Sequence, residues 1–240
     1  MLLIIPMAGR GSRYANVGYT TPKPLIEING KPMLYHAFQS VKDVPYDKVI
    51  FIALTEHEQL YGVSKLIKEQ IVAEFELILL DDVTEGQLCT VLEAREFFKE
   101  GERLVIAASD TYIKSNFGQE IENSKDCAGL ISVAKLAGDH WSFAKTDDND
   151  NVIEVAEKVR ISDNASTGLY YFSNSKIFQK EAEELIAQKE TAKGEYYIMP
   201  LYSKYIQKNK RITISKAEEI WDMGTPESKQ AFEDFLKNCL

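Results

Sequence analysis

Leu2 to Pro6 is a short, continuous apolar run closed by a proline and a glycine-rich stretch, the pattern of a strand buried on both faces. Met33 to Val41 carries apolar residues at helical spacing behind Pro32, and Lys48 to Leu54 returns to a β-rich run, giving one βαβ unit. The alternation continues with a helix predicted over Glu56 to Ile71, a strand over Phe75 to Leu80, a helix over Gln87 to Phe98 and a strand over Leu104 to Ala108. Such a pattern predicts an α/β fold: a Rossmann-like, mostly parallel central sheet flanked by helices on both faces. Binding sites in these sheets lie at the carboxyl ends of strands, where the loop after Pro6 and the acidic Asp110 both fall.

From Cys127 the pattern changes. Short strand-like segments at Cys127 to Val133, Ser142 to Lys145, Val152 to Val155 and Thr167 to Phe172 predict a mixed or antiparallel half. Helices over Lys176 to Gln188 and Glu195 to Gln207, a strand over Arg211 to Ser215 and a helix after Pro226 complete the chain. No repeat, low-complexity segment or linker interrupts it, so residues 1–240 are expected to form a single domain whose halves, about 1–125 and 126–240, share one core.

Composition narrows the function. A hydrophobic fraction of 45% and a charged fraction of 27% are ordinary for a globular protein. The formal net charge of −9 repels a nucleic-acid backbone, yet a few backbone N–H groups and cations suffice to bind a single nucleotide locally. Cys89, Cys127 and Cys239 are scattered and odd in number, which predicts free thiols in a reducing cytoplasm. Met1 to Ile5 is too short an apolar run, without a basic start, for a signal peptide, and no run reaches transmembrane length. The expectation is therefore a cytoplasmic protein with neither membrane nor nucleic acid as partner. His36, His57 and His140 show no spacing that suggests a base or a zinc site.

The loop Met7-Ala8-Gly9-Arg10-Gly11-Ser12-Arg13-Tyr14 follows the first strand, and its glycines let backbone N–H groups approach a phosphate that a Cβ would hold away. Arg13 adds a forked cation, and Pro22 and Pro24 restrain a second one, Lys23. Taken singly, Gly-x-Gly is also an ordinary tight turn and Lys23 an ordinary solvated lysine. The dinucleotide-binding fingerprint fits poorly, because Tyr14 stands where its third glycine belongs.

Together, Gly9-x-Gly11-x-Arg13, Pro22-Lys23-Pro24-Leu25 and Gly30-Lys31-Pro32-Met33 resemble the signature of the sugar-phosphate nucleotidyltransferases, or sugar-nucleotide pyrophosphorylases. Trp221-Asp222-Met-Gly-Thr-Pro-Glu227 is similar to the family's Trp-x-Asp-x-Gly-Thr-Pro segment with one residue fewer between Trp and Asp. The resemblance implies the nucleotide-diphospho-sugar transferase fold, with a nucleotide-binding first half and an acceptor-binding second half. It implies that Ala8, Gly9, Gly11 and Ser12 wrap a triphosphate, with Arg13 and Lys23 as the catalytic cations. Gly86 and Gln87 would read the base, and Asp110 and Asp222 would hold Mg²⁺. Glu157, Lys158, Gly168 and Glu195 would meet the acceptor, although Val159 stands where a proline often follows the lysine.

The implied activity is transfer of a nucleotidyl group from a nucleoside triphosphate to a sugar 1-phosphate, releasing pyrophosphate and supplying an activated precursor for a surface glycan. One alternative is a cytidylyltransferase acting on a non-sugar acceptor such as phosphocholine, another amine phosphate or a polyol phosphate. Another is a non-catalytic nucleotide-sensing module, against which the presence of Arg13, Lys23, Asp110 and Asp222 argues. A glycosyltransferase is disfavoured because Asp110-Thr111-Tyr112 lacks its Asp-x-Asp metal motif. The base, the acceptor and homo-oligomerisation stay open at this stage.

Overall fold

A computed structural model of the chain describes residues 1–238; Cys239, one of the three expected thiols, lies outside them. In chain order the strands are β1 (Leu2–Pro6), β2 (Glu27–Ile28), β3 (Lys31–Pro32), β4 (Lys48–Leu54), β5 (Glu76–Leu80), β6 (Leu104–Ala107), β7 (Thr111–Lys114), β8 (Gly129–Lys135), β9 (Ser142–Thr146), β10 (Val152–Glu157), β11 (Asn164–Phe172), β12 (Ile212–Lys216) and β13 (Glu219–Asp222). Nine of them form one sheet with the path β10-β9-β11-β6-β1-β4-β5, and β8 joins β11 to β12. β1 runs parallel to both β4 and β6, and β4 runs parallel to β5. The order turns mixed at β11, which is antiparallel to β6, β8 and β9, while β12 is parallel to β8.

The continuous apolar runs are explained by the two faces they serve. Leu2, Ile4, Ile50, Ile52, Leu104 and Ile106 enter one buried cluster, and their neighbours Leu3, Ile5, Val49, Phe51 and Val105 enter the other, as the two-residue period of a strand requires. Each cluster also takes residues from the second half, Tyr170, Phe172 and Tyr202 on one face and Leu130 and Tyr171 on the other. Among the described residues no helix is long and apolar enough to cross a membrane.

Several helices depart from the sequence expectation. Gly62, at φ 60°, splits the helix expected over Glu56 to Ile71 into Thr55–Tyr61 and Val63–Gln70. The helix from Gln87 stops at Leu92 and is followed by a 3₁₀ turn, Arg95–Phe97. The helix expected from Glu195 begins only at Leu201, because Pro200 disfavours a helical backbone in the residue before it. The segment from Glu195 to Pro200 is irregular and packs elsewhere, as described below.

Two small pairings have no counterpart in the apolar pattern. β2 and β3 form a hairpin whose turn residues Asn29 and Gly30 both have positive φ, at 48° and 77°. β7 and β13 pair antiparallel with Thr111 opposite Asp222 and Tyr112 opposite Trp221, so Asp110 and Asp222 are brought side by side. The last helix, Pro226–Asn238, covers this ribbon with Phe232 and Phe235 stacked against Tyr112 and Trp221. Thr225 caps it, accepting from the Ser228 N–H at 3.2 Å, with Pro226 in the first turn.

Candidate active site

The glycine-rich loop, the loop after β6 and the start of the helix Gln87–Leu92 enclose a cleft of about 630 Å³. Ala8, Gly9, Gly11 and Ser12 line one wall, Lys23 and Asp110 the floor, and Gly86, Gln87, Glu195 and Tyr197 the opposite wall. Gly11 has φ 59°, and a Cβ there would stand 3.0 Å from the Cβ of Lys23, so glycine is needed for conformation and for space. No protein atom lies within 4 Å of where a Cβ on Gly9 would be, and that free volume belongs to the cleft.

Lys23, held in the 3₁₀ turn Lys23–Leu25, places Nζ 2.5 Å from Asp110 Oδ2, with both side chains mostly buried. Burial pushes the Asp110 carboxyl up, and Lys23, through its charge and its hydrogen bond, overcomes this and holds it below the usual aspartate value. Asp222 shifts the other way: its burial and the negative charge of Asp110 raise it, although the Gly224 N–H donates to it at 3.0 Å. Arg13 is exposed and borders an adjoining hollow with Gly11, Ser12, Lys23 and Gly224, and neither it nor Asp222 lines this cleft; its charge lowers both carboxyls and its Nη1 stands 3.5 Å from the Cβ position of Gly224. Four charged groups from three distant parts of the chain thus converge.

This donor set suits a hard divalent cation. Lys23 neutralises one carboxylate while Asp222 remains a partly buried acid beside another, a pair whose repulsion a cation between them would relieve. Among the described residues no group of three or more His, Cys, Asp or Glu is arranged to hold a metal, so such an ion would complete its shell from substrate and water.

The wall opposite the glycine-rich loop is stitched from two segments. Tyr196 donates its N–H to Glu85 at 2.9 Å and accepts from the Leu88 N–H at 3.0 Å, so the stretch around Glu195 lies directly on the loop that carries Gly86 and Gln87. Gly86, with φ 138° and ψ 174°, fits between them; a Cβ there would meet the Tyr196 carbonyl oxygen at 2.5 Å. Thr84 Oγ1 lies 2.7 Å from Thr90 Oγ1 and 3.0 Å from the Gly86 carbonyl, fixing the turn.

Glu157 ends β10 and Lys158 follows it, and neither lines this cleft. Glu157 is raised by burial, and the Ser142 hydroxyl donates to it. Lys158, at φ 56°, reaches back toward the cleft, its Nζ bonded to the Tyr197 hydroxyl and 4.0 Å from that ring's centroid. The Tyr197 hydroxyl in turn meets the Glu195 carboxylate. Gly168, at φ 84° where the register of β11 shifts, lies behind the cleft wall, its carbonyl accepting from the Ala108 N–H at 3.0 Å.

Three contributors escaped the sequence reading. Tyr197 joins the two ends of the site, and its only sequence signal is an aromatic pair after Gly194-Glu195. Ser142 holds Glu157 and carries no signal at all. Tyr14, read as a missing glycine, is buried, and its hydroxyl meets the carbonyls of Met223 and Thr225.

The nucleotidyl transferase family model matches residues 3–238. The bifunctional protein GlmU of Methanocaldococcus jannaschii is 28% identical over 93% of this chain and 51% of its own length, so the chain spans about half of that relative. The UTP–glucose-1-phosphate uridylyltransferase AglF of Haloferax volcanii is 24% identical over 99% of this chain and 97% of its own. Among solved structures, a nucleoside-diphosphate-sugar pyrophosphorylase from Vibrio cholerae RC9 superposes with a TM-score of 0.83 at 29% identity, covering 97% of this chain and 99% of that one.

Proposed function

The chain belongs to the nucleotidyl transferase family, and from that premise we propose that it condenses a nucleoside triphosphate with a sugar 1-phosphate to give an NDP-sugar and pyrophosphate. An oxygen of the acceptor phosphate attacks the α-phosphorus and forms the new P–O bond. The bond from that phosphorus to the α,β-bridging oxygen breaks, and pyrophosphate leaves with its electron pair. No general base is required, because a phosphate monoester is already an anion near neutral pH.

What must be overcome is the approach of two anions, so the chemistry rests on positioning and charge compensation. The N–H groups of the Ala8–Ser12 loop cradle the triphosphate, Arg13 screens its outer phosphates, and Lys23 faces the α-phosphate. Gly86 and Gln87 present hydrogen-bonding groups to the base. Lys158 meets the acceptor phosphate, Glu157 and Glu195 take hydroxyls of the acceptor, and Gly168 supports the strand behind them. Asp110 and Asp222 hold the divalent cation, Mg²⁺ in this reading, which when bound supplies positive charge to phosphate oxygens. Both halves act as one nucleotidyltransferase domain, and the free thiols Cys89 and Cys127 suit a cytoplasmic enzyme.

The observation that carries the reading is the Lys23–Asp110 pair at 2.5 Å with Asp222 and Arg13 beside it, since a plain nucleotide-sensing module has no need of two carboxylates next to the phosphate cations. The test is a matrix of nucleoside triphosphates against phosphorylated acceptors, read by pyrophosphate release with and without Mg²⁺ and by product mass. A sugar 1-phosphate is expected to give the highest turnover. Val159, standing where a proline often follows the lysine, leaves room for a second reading in which CTP and a non-sugar phosphate are the productive pair. Nucleotide binding with no pyrophosphate release from any pair would refute both.

A further inference from the structure

Tyr14 is 1% exposed and packs in a small apolar cluster with Ile28, Met33, Met223 and Phe232. Packing alone asks for phenylalanine there, because a hydroxyl in such a cluster is costly unless it is hydrogen-bonded. Its oxygen lies 2.7 Å from the Met223 carbonyl and 2.8 Å from the Thr225 carbonyl, so its proton serves the turn that follows Asp222. Burial keeps the phenol protonated, well above its ordinary pKa. The same turn is held from the other side, where the Met223 N–H donates to the Asp110 carbonyl at 2.8 Å. Met223 is thereby bonded through its N–H to the residue before β7 and through its carbonyl to the glycine-rich loop. Gly224 lies close under the Asp222 carboxylate, where a Cβ would meet Oδ1 at 2.9 Å, and its N–H donates to that oxygen at 3.0 Å.

We propose that Tyr14 is a positioning residue whose hydroxyl tethers the Asp222 turn to the glycine-rich loop, fixing where the Asp222 carboxylate stands relative to Asp110 and the bound phosphates. This rests on the nucleotidyltransferase reading for its cation and on the geometry above for the tether. Tyr14→Phe keeps the ring and deletes only the tether. Tyr205→Phe is the control, because that buried hydroxyl has no hydrogen-bond partner among the described residues.

In metal-free Tyr14→Phe protein, hydrogen exchange is expected to quicken across Met223–Thr225 while the β1 and β4 amides stay protected. The Mg²⁺ concentration for half-maximal turnover should rise roughly three- to tenfold, about the net worth of one hydrogen bond, with the acceptor KM unchanged. In an Asp222→Asn background, where turnover is lost, the same change should still quicken exchange across Met223–Thr225, because the tether runs through backbone carbonyls. Unchanged exchange at Met223–Thr225, or a lower melting temperature with unaltered Mg²⁺ dependence, would overturn the tether. A wild-type protein inactive with every substrate pair would instead overturn the nucleotidyltransferase reading, and the exchange comparison would still decide the tether.

Discussion

Replacing Gly86 with alanine tests how tightly the loop carrying Gly86 and Gln87 is bound to the segment carrying Glu195 and Tyr197. At φ 138° and ψ 174° the backbone is in a region reserved for glycine, which costs another residue about 1–3 kcal/mol. The new methyl would also lie 2.5 Å from the Tyr196 carbonyl oxygen and 2.6 Å from its nitrogen, both backbone atoms that cannot rotate away. Relief requires the two segments to part, breaking the bonds at 2.9 and 3.0 Å that Tyr196 makes to Glu85 and Leu88, each worth about 1 kcal/mol. The total, about 3–5 kcal/mol, corresponds to a fall of roughly 6–20 °C in melting temperature for a domain of this size. Because Glu195 and Tyr197 would move with Tyr196, the KM values for nucleotide and acceptor should rise together, whereas a fault confined to base recognition would raise only the first. Thermal unfolding and steady-state kinetics on Gly86→Ala measure both. Near-wild-type stability with both KM values unchanged would show that the segments separate freely, and the reasoning would fail.

Lys23→Ala should lower turnover about 10²–10³-fold, the usual loss for one electrostatic contact to a transition state. It should also cost on the order of 3 kcal/mol in denaturant unfolding, since it strands the Asp110 carboxylate in a mostly buried position. Asp110→Asn should likewise lower turnover strongly while the chain stays folded by circular dichroism. Because Lys23 holds the folded Asp110 carboxyl below the usual aspartate value, its contribution to stability is complete above that value and is lost as the pH falls through the folded one. The stability gap between wild type and Asp110→Asn should therefore shrink as the pH falls below about 4, and a constant gap would contradict the pairing with Lys23. Asp222 is raised, so its ionised form opposes folding at neutral pH, and that cost disappears once acid protonates it. Asp222→Asn should accordingly gain about 0.5–2 kcal/mol in cation-free buffer near pH 7 while losing activity, and a variant no more stable than wild type would count against repulsion between the two carboxyls.

The residues proposed to meet phosphate and metal stand out in the sequence because that chemistry demands a residue type. Gly11 is glycine for conformation and for space, Gly9 leaves its free volume to the cleft, and Lys23, Asp110 and Asp222 supply the charge. β1, β4 and β6 were legible for a different reason, since burial on both faces leaves an unbroken apolar run. β7 and β13 escaped because a two-stranded ribbon half-covered by the last helix needs no such run, and its strands are defined by each other across the length of the chain. The helix wrongly extended back to Glu195 shows the same limit: the periodicity is present, but the backbone groups of Tyr196 are already committed to Glu85 and Leu88. Tyr14 is the sharpest case. As a sequence position it only weakened a comparison with dinucleotide-binding loops, because a tyrosine names no partner. Its partners are two carbonyls that any residue would possess, so neither end of the tether is written in a side chain. Groups that touch substrate are specified by side-chain identity and can be read from a sequence; groups that aim them act largely through backbone, and only the fold reveals which loop is held to which.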